Sequence, residues 1–419
     1  MNTPGGRCLW LISLCAAACL ELFCSPKARA DFPTELSVSE VDAVARQYDC
    51  EKVSVDMPAS AFLLLPRGPQ DNPDGKYHQP YHAVCHAYVQ DPDSRGNVAA
   101  GYSQRFIIYG AAQESKPEMV RAARLLLMLW DEERVRMHHD HTPDEPTVHV
   151  WLCEQPGAGL SPDTGGEQFK SEIYVYDVLR GRRPIEWARE VAHEYGHYAL
   201  PGISGFRAPE EWANGVLGER LYLNWISDDI RAGKIPVSSM PYVTTAELNE
   251  YVAKQVTPLI HRVDSRGAIG LDLARRDAEG MDNYVALALY IDHFYGSRQL
   301  LSAMSYTAPS HRDVLAEAPD FLRGFLQSVR STPDLKMVLE ERAGSLKPIY
   351  TMYLLAGQYS AEPQGRVLRW KAISSGKDVL TFNAHSLRVT QSGWYRIELE
   401  LEQGSDGIAQ LLLNRQGRG

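Results

Sequence analysis

His193 and His197 stand four residues apart in the run His193-Glu194-Tyr195-Gly196-His197. On an α-helix, residues i and i+4 lie one above the other on the same face. Both imidazoles can therefore reach a single ion, and zinc accepts neutral imidazole nitrogen at about 2.0–2.1 Å. Glu194 is turned about 100° from His193 by the 3.6-residue helical repeat, which sets its carboxylate beside an ion rather than on it. A carboxylate so placed can take a proton from zinc-bound water, whose pKa the metal lowers toward about 7. The spacing predicts two Zn2+ ligands and a general base within little more than one turn. The uncharged neighbours Val191, Ala192, Tyr195, Gly196, Tyr198 and Ala199 suit a metal whose surroundings control its solvent access. The competing reading is an amphipathic helix whose histidines only cap or pack.

A catalytic zinc keeps three protein ligands and one open position. A histidine six residues after His197 would mark one large zincin class, but position 203 is Ile and position 200 is Leu. The carboxylates lie in the next helical stretch, Pro209 to Arg220. Trp212, Gly215, Glu219 and Tyr222 share one stripe by the i, i+3, i+4 rule. A carboxylate on such a face needs a partner, and Gly215 and Gly218 permit close helix approach. Glu219 is the first expectation for the third ligand. Glu211 is the second and Glu210 the third, both near a helix N-terminus where Glu is ordinarily favoured. A surface pair of Glu219 with Arg220 or Arg207 is the alternative.

With His193-Glu194-x-x-His197 followed by a helical Glu, the stretch from Tyr102 to Leu300 resembles the gluzincin metallopeptidases, the thermolysin-like and aminopeptidase-like grouping. The resemblance implies a zincin-like core and a peptide or protein substrate. It also implies an edge strand, here Ile173–Val178, that pairs with extended substrate by strand addition. The family places an Asp or similar group four residues after its ligand Glu, but position 223 is Leu. Glu211-Trp212-Ala213-Asn214-Gly215 is similar to the aminopeptidase Trp-x-Asn-Glu-Gly motif without its Glu, and the Gly-x-Met-Glu-Asn exopeptidase motif has no match. The family's oxyanion-stabilising Tyr or His would be Tyr284, on a helix apolar enough on most sides to be packing alone.

The elements that must position these groups are legible as patterns. A helix is expected from Pro117 to His138, then strands Thr147–Cys153 and Glu172–Val178 around a loop from Gly157 to Gly166. The histidine helix opens at Pro184, at home in a first turn, and stops at Pro201-Gly202. A further helix runs from Pro209 to about Ser227. Others are expected at Ala246–Val263, Asp282–Tyr295, Pro319–Val329 and Pro348–Leu355, and strands from about Gln364. The fold class expected is α+β, divided as an N-terminal α+β part 31–202, a helical part 203–360 and a small β module 364–419.

The 419 residues, 44% hydrophobic and 23% charged, suit a globular chain of two or three domains. Arg7, an apolar run from Cys8 to about Leu20 and Ala28-Arg29-Ala30 have the layout of a secretory signal peptide over residues 1–30. Export, to a secreted or periplasmic location, follows as an expectation, with no membrane span in the mature chain. The net charge of −10, more negative still without the basic leader, argues against nucleic acid as partner. Of the cysteines outside the leader, Cys50 and Cys85 are the nearer pair and Cys153 the third; a disulfide and three buried thiols are both open. His138-His139-Asp140-His141 reads as a helix end, and His78, His82 and His86 as loop and strand, since Pro80 breaks any helix through them. Trp370, Phe382, Trp394 and Tyr395 read as packing. A non-catalytic secreted binding protein on a zincin-like scaffold is the second functional reading. Oligomeric state is not legible.

Overall fold

The computed structural model describes residues 35–47, 51–55, 60–65, 70–71, 78–79, 81–92, 98–110, 116–138, 147–153, 165–178, 183–236, 243–307, 314–332, 334–341, 347–374, 382–383, 385–403 and 409–416, with backbone alone over 51–104. The expected leader, Cys50 and His139–His141 lie outside these, as do the side chains of Cys85, His78, His82 and His86. Cys153 is a buried thiol. Among the described residues no helix is long and apolar enough to cross a membrane.

The architecture is α+β. Its largest sheet runs, in spatial order, Glu51–Val55, Ser60–Leu65, Tyr81–Pro92, Val98–Gly110, Val148–Leu152, Glu172–Val175 and Gly166–Phe169. Val98–Gly110 and Val148–Leu152 are parallel, joined through the helix Lys116–Met137, the crossover that parallel neighbours require. Strand alternation decides which side chains meet the helices. Phe106, Ile108, Val148, Val150, Ile173 and Val175 turn into the main core, where Leu125, Leu129, Val191 and Leu221 also sit. Tyr109, Trp151 and Tyr174 take the opposite face, with Tyr109 and Trp151 stacked at 3.8 Å.

One expectation is corrected along this sheet. Glu172–Val175 is not an edge strand, because Gly166–Phe169 pairs antiparallel outside it. Lys170 takes φ 54° and lets the chain reverse between the two. The edge therefore begins at Gly166, the last residue of the expected loop Gly157–Gly166, and runs through Glu167–Phe169, where no strand is expected.

The histidine helix is Pro184–Ala199, with Pro184 in its first turn and the Glu186 carboxylate accepting the Arg183 N–H at 3.1 Å. It packs on Ala213–Arg231 through two glycines in backbone contact. A Cβ on Gly196 would stand 2.7 Å from the Asn214 carbonyl oxygen and 2.8 Å from the Gly218 Cα. Both atoms are backbone and cannot swing aside. Gly196→Ala is expected to destabilise the fold by about 1–3 kcal/mol, the overpacking range, read as a lower denaturation midpoint at unchanged m-value.

Downstream, Thr245–Arg266 is helical with a π-helical stretch at Val252–Val256, followed by Ala278–Tyr295, Ser297–Ser305 and Val314–Ser331. The expected helix Pro348–Leu355 is instead the strand Ile349–Leu354. Its β-branched and aromatic residues suit a pleated, half-buried surface. Strands begin at Lys336, earlier than expected, and form one sheet of five and one of three strands.

Candidate metal centre

The segment between the two packed helices is irregular, and it supplies a third metal-competent group. Residues expected to open a helix at Pro209 do not, because the segment's backbone is committed elsewhere. Phe206 N–H donates to the Glu211 carbonyl at 3.3 Å, Ala213 N–H to Ile203 at 3.0 Å and Arg207 N–H to Arg276 at 2.6 Å. The helix starts only at Ala213, after Trp212 in extended conformation. Glu210 is thereby carried on a strap that turns it back onto the histidine helix.

Glu210 Oε2 lies 3.0 Å from His193 Nε2 and 3.3 Å from His197 Nε2, and the two nitrogens are 3.2 Å apart. A tetrahedral zinc with bonds of about 2.0–2.1 Å has ligand–ligand edges of roughly 3.3 Å. The three edges match that figure within a few tenths of an ångström. This is the one His/Cys/Asp/Glu group able to hold a metal ion found among the described residues. A Cβ on Gly215 would stand 2.3 Å from His197 Nε2 and 2.6 Å from His193 Nε2, so the bare glycine leaves the nitrogens' front clear. Glu194 Oε2 and Glu210 Oε1 are buried without a hydrogen-bond partner among the described residues, as suits groups awaiting an ion or water. The residues present therefore fit zinc.

Each imidazole is held from behind. The Asn214 amide donates to the carbonyls of His197 at 3.0 Å and Leu200 at 3.1 Å, capping the end of the histidine helix. Its Oδ1 is then fixed toward His197 Nδ1, 3.0 Å away, which places the ring proton on Nδ1 and the lone pair on Nε2. Sequence reasoning missed this role, although Asn214 lay within a noted motif.

Glu219 stands behind His193, not in front of it. Its Oε2 is 3.7 Å from His193 Nδ1, beyond a direct hydrogen bond. Its Oε1 accepts from Arg189 Nε at 2.7 Å and from the Tyr251 hydroxyl at 2.6 Å. Burial raises the Glu219 carboxyl, but the neighbouring His193 and the guanidinium groups of Arg220 and Arg189 prevail and hold it down at about 2. Burial likewise opposes ionisation of Glu210, yet His193 and His197 keep it at about 2. His193, between these carboxylates, is pushed well above the usual histidine range against the effect of its own burial. That proton must leave for a metal to bind. Glu211, the remaining candidate, contributes its carbonyl to the strap.

Glu194 is 4% exposed. Burial pushes its carboxyl up to about 8, against the pull of His193 and with the repulsion of Glu190, Glu210 and Glu167. The edge strand passes over it, since a Cβ on Gly166 would meet Glu194 Oε1 at 2.8 Å. Tyr284 is enclosed in the helical core, its ring 5.0 Å from Phe321.

The clearance at Gly215 gives a test. Gly215→Ala is expected to weaken zinc binding by about 10–100-fold, the scale of outer-sphere disruption, measured by competition with a chromogenic chelator.

No protein-family model matches the sequence. No curated protein matches it either. Among solved structures, aminopeptidase A of Legionella pneumophila, determined in complex with aspartic acid, is similar at a TM-score of 0.27 and 11% identity over 88% of this chain. The chain spans 41% of that protein, and a likeness this distant carries no argument.

Proposed function

We propose that the chain is a zinc-dependent peptidase in which His193, His197 and Glu210 hold the metal and Glu194 moves the proton. The observation that carries this reading is the convergence of Glu210 Oε2 and two imidazole Nε2 atoms at tetrahedral edge lengths, with Glu194 one residue from the first ligand. Zinc held there supplies Lewis-acid polarisation of a scissile carbonyl and acidifies water. Glu194, buried one residue along the helix from His193, would take a proton from the attacking water and give it to the leaving amine. Asn214 and Glu219 orient the two imidazoles. Gly166–Phe169, the last strand of the sheet order among the described residues, offers backbone groups for an extended peptide. The expected leader extends the proposal to an exported enzyme.

Removing metal tests it. Treatment with 1,10-phenanthroline is expected to abolish cleavage of an unfolded protein, and about one equivalent of zinc per chain to restore it. Zinc at 100 times its Kd should add about 2.7 kcal/mol of folding stability. A well-folded chain that retains no stoichiometric zinc would sink the reading.

A non-catalytic binding protein is the second reading, favoured by Tyr284 lying in the helical core. Metal-dependent turnover of any peptide, lost on Glu194→Gln, rejects it.

A further inference from the structure

A polar cavity of about 660 Å³ opens where the helix Thr257–Arg266 meets the strand Ile349–Leu354. Its volume falls in the range of small-molecule sites. Its lining is sorted by charge and depth. Two carboxylates are buried, Asp264 with its side chain 8% exposed and Glu341 at 7%. Asp264 is fixed on both oxygens, accepting from His261 Nδ1 at 3.0 Å and from the Thr351 N–H at 3.3 Å. Glu341 accepts the Tyr350 hydroxyl at 3.5 Å. Three cations sit at the surface. The Arg266 and Arg396 side chains are 47% and 53% exposed, and Lys347 is exposed. The partners of both arginines are side chains at least partly in solvent, Glu279 at 3.4 Å and Glu398 at 3.1 Å, and such exposed pairs hold a cation weakly. A second hollow of about 600 Å³ shares Lys347 and Ile349 with the first and is lined by Leu368, Trp370 and Leu399 together with the charged Arg369, Lys371, Glu398 and Glu400.

We infer that this junction binds a free amino acid or dipeptide. Its ammonium group sits beside the buried Asp264 and Glu341, and its carboxylate at Arg266, Lys347 and Arg396. A buried carboxylate gains from a cation placed beside it, and guanidinium matches carboxylate geometry. A purely anionic ligand would meet the two carboxylates at the floor, and a purely cationic one the three positive groups at the mouth, so the lining favours a ligand carrying both charges. The inference stands apart from the metal centre. A chain without zinc would sink the peptidase reading and leave this one intact.

The test is calorimetric titration of the mature chain carrying Glu194→Gln, zinc-loaded and zinc-stripped, with Leu-Leu, N-acetyl-Leu-Leu and Leu-Leu amide. One equivalent of Leu-Leu is expected to bind in both metal states. The two blocked peptides should each bind at least about tenfold more weakly, a loss of about 1.4 kcal/mol. Arg396→Ala, at a half-exposed position, and Glu341→Gln should each cost Leu-Leu about tenfold with zinc content and melting temperature unchanged. Absence of Leu-Leu binding overturns the inference. So does binding that zinc stripping abolishes, or that is indifferent to blocking both ends and to Arg396→Ala.

Discussion

Glu194→Gln is expected to leave zinc bound and to slow hydrolysis of an unfolded protein by about 10²–10⁴-fold, the usual scale for losing a general base. The substitution keeps the shape that packs beneath the edge strand, where Gly166 leaves Glu194 its space. It adds no buried charge to a site already holding Glu210 and Glu219. It removes only the ability to accept and return a proton, so substrate binding and zinc content stay near those of the unaltered chain. Rates compared at matched zinc content read the effect directly. A variant retaining most of its rate would remove Glu194 from the chemistry.

Glu210→Ala is expected to cost zinc affinity on the order of 10³-fold, about 4 kcal/mol, while Glu219→Gln costs about 10–100-fold. The contrast separates a ligand from an orienting group. Glu210 Oε2 faces both Nε2 atoms, whereas Glu219 touches the far side of His193 and shares its charge with Arg189 and Tyr251. Equilibrium dialysis against a zinc buffer measures both. The opposite ranking would return Glu219 to the role its helical position suggests.

That ranking marks where the sequence was legible. The histidine pair and Glu194 follow from local helix geometry, and the helix boundaries at Pro184 and Pro201 from residue chemistry alone. Glu219 was singled out because a carboxylate on an apolar stripe needs a partner. The need is real, but the partners are Arg189, Tyr251 and the rear of His193. Glu210 was placed third because Pro209 looked like a helix start. What overrides that reading is tertiary: backbone bonds from Phe206, Arg207 and Ala213 hold the strap out of a helix. Asn214 carries no comparable local signal, because the carbonyls of His197 and Leu200 that it caps meet it only through the fold. The edge strand lies one hairpin earlier than the sequence suggests, starting at Gly166 where the expected loop ends. Gly165 and Gly166 are there because the strand runs against Glu190 and Glu194. Tyr284 follows from family likeness alone, and the fold encloses its ring beside Phe321.

X-ray absorption at the zinc K edge of the mature chain, loaded with one equivalent of zinc, tests the central claim most directly. The account predicts first-sphere scattering from two imidazole nitrogens and from oxygen, at about 2.0–2.1 Å. A folded chain that holds no zinc, or a zinc spectrum without imidazole scattering, would contradict it.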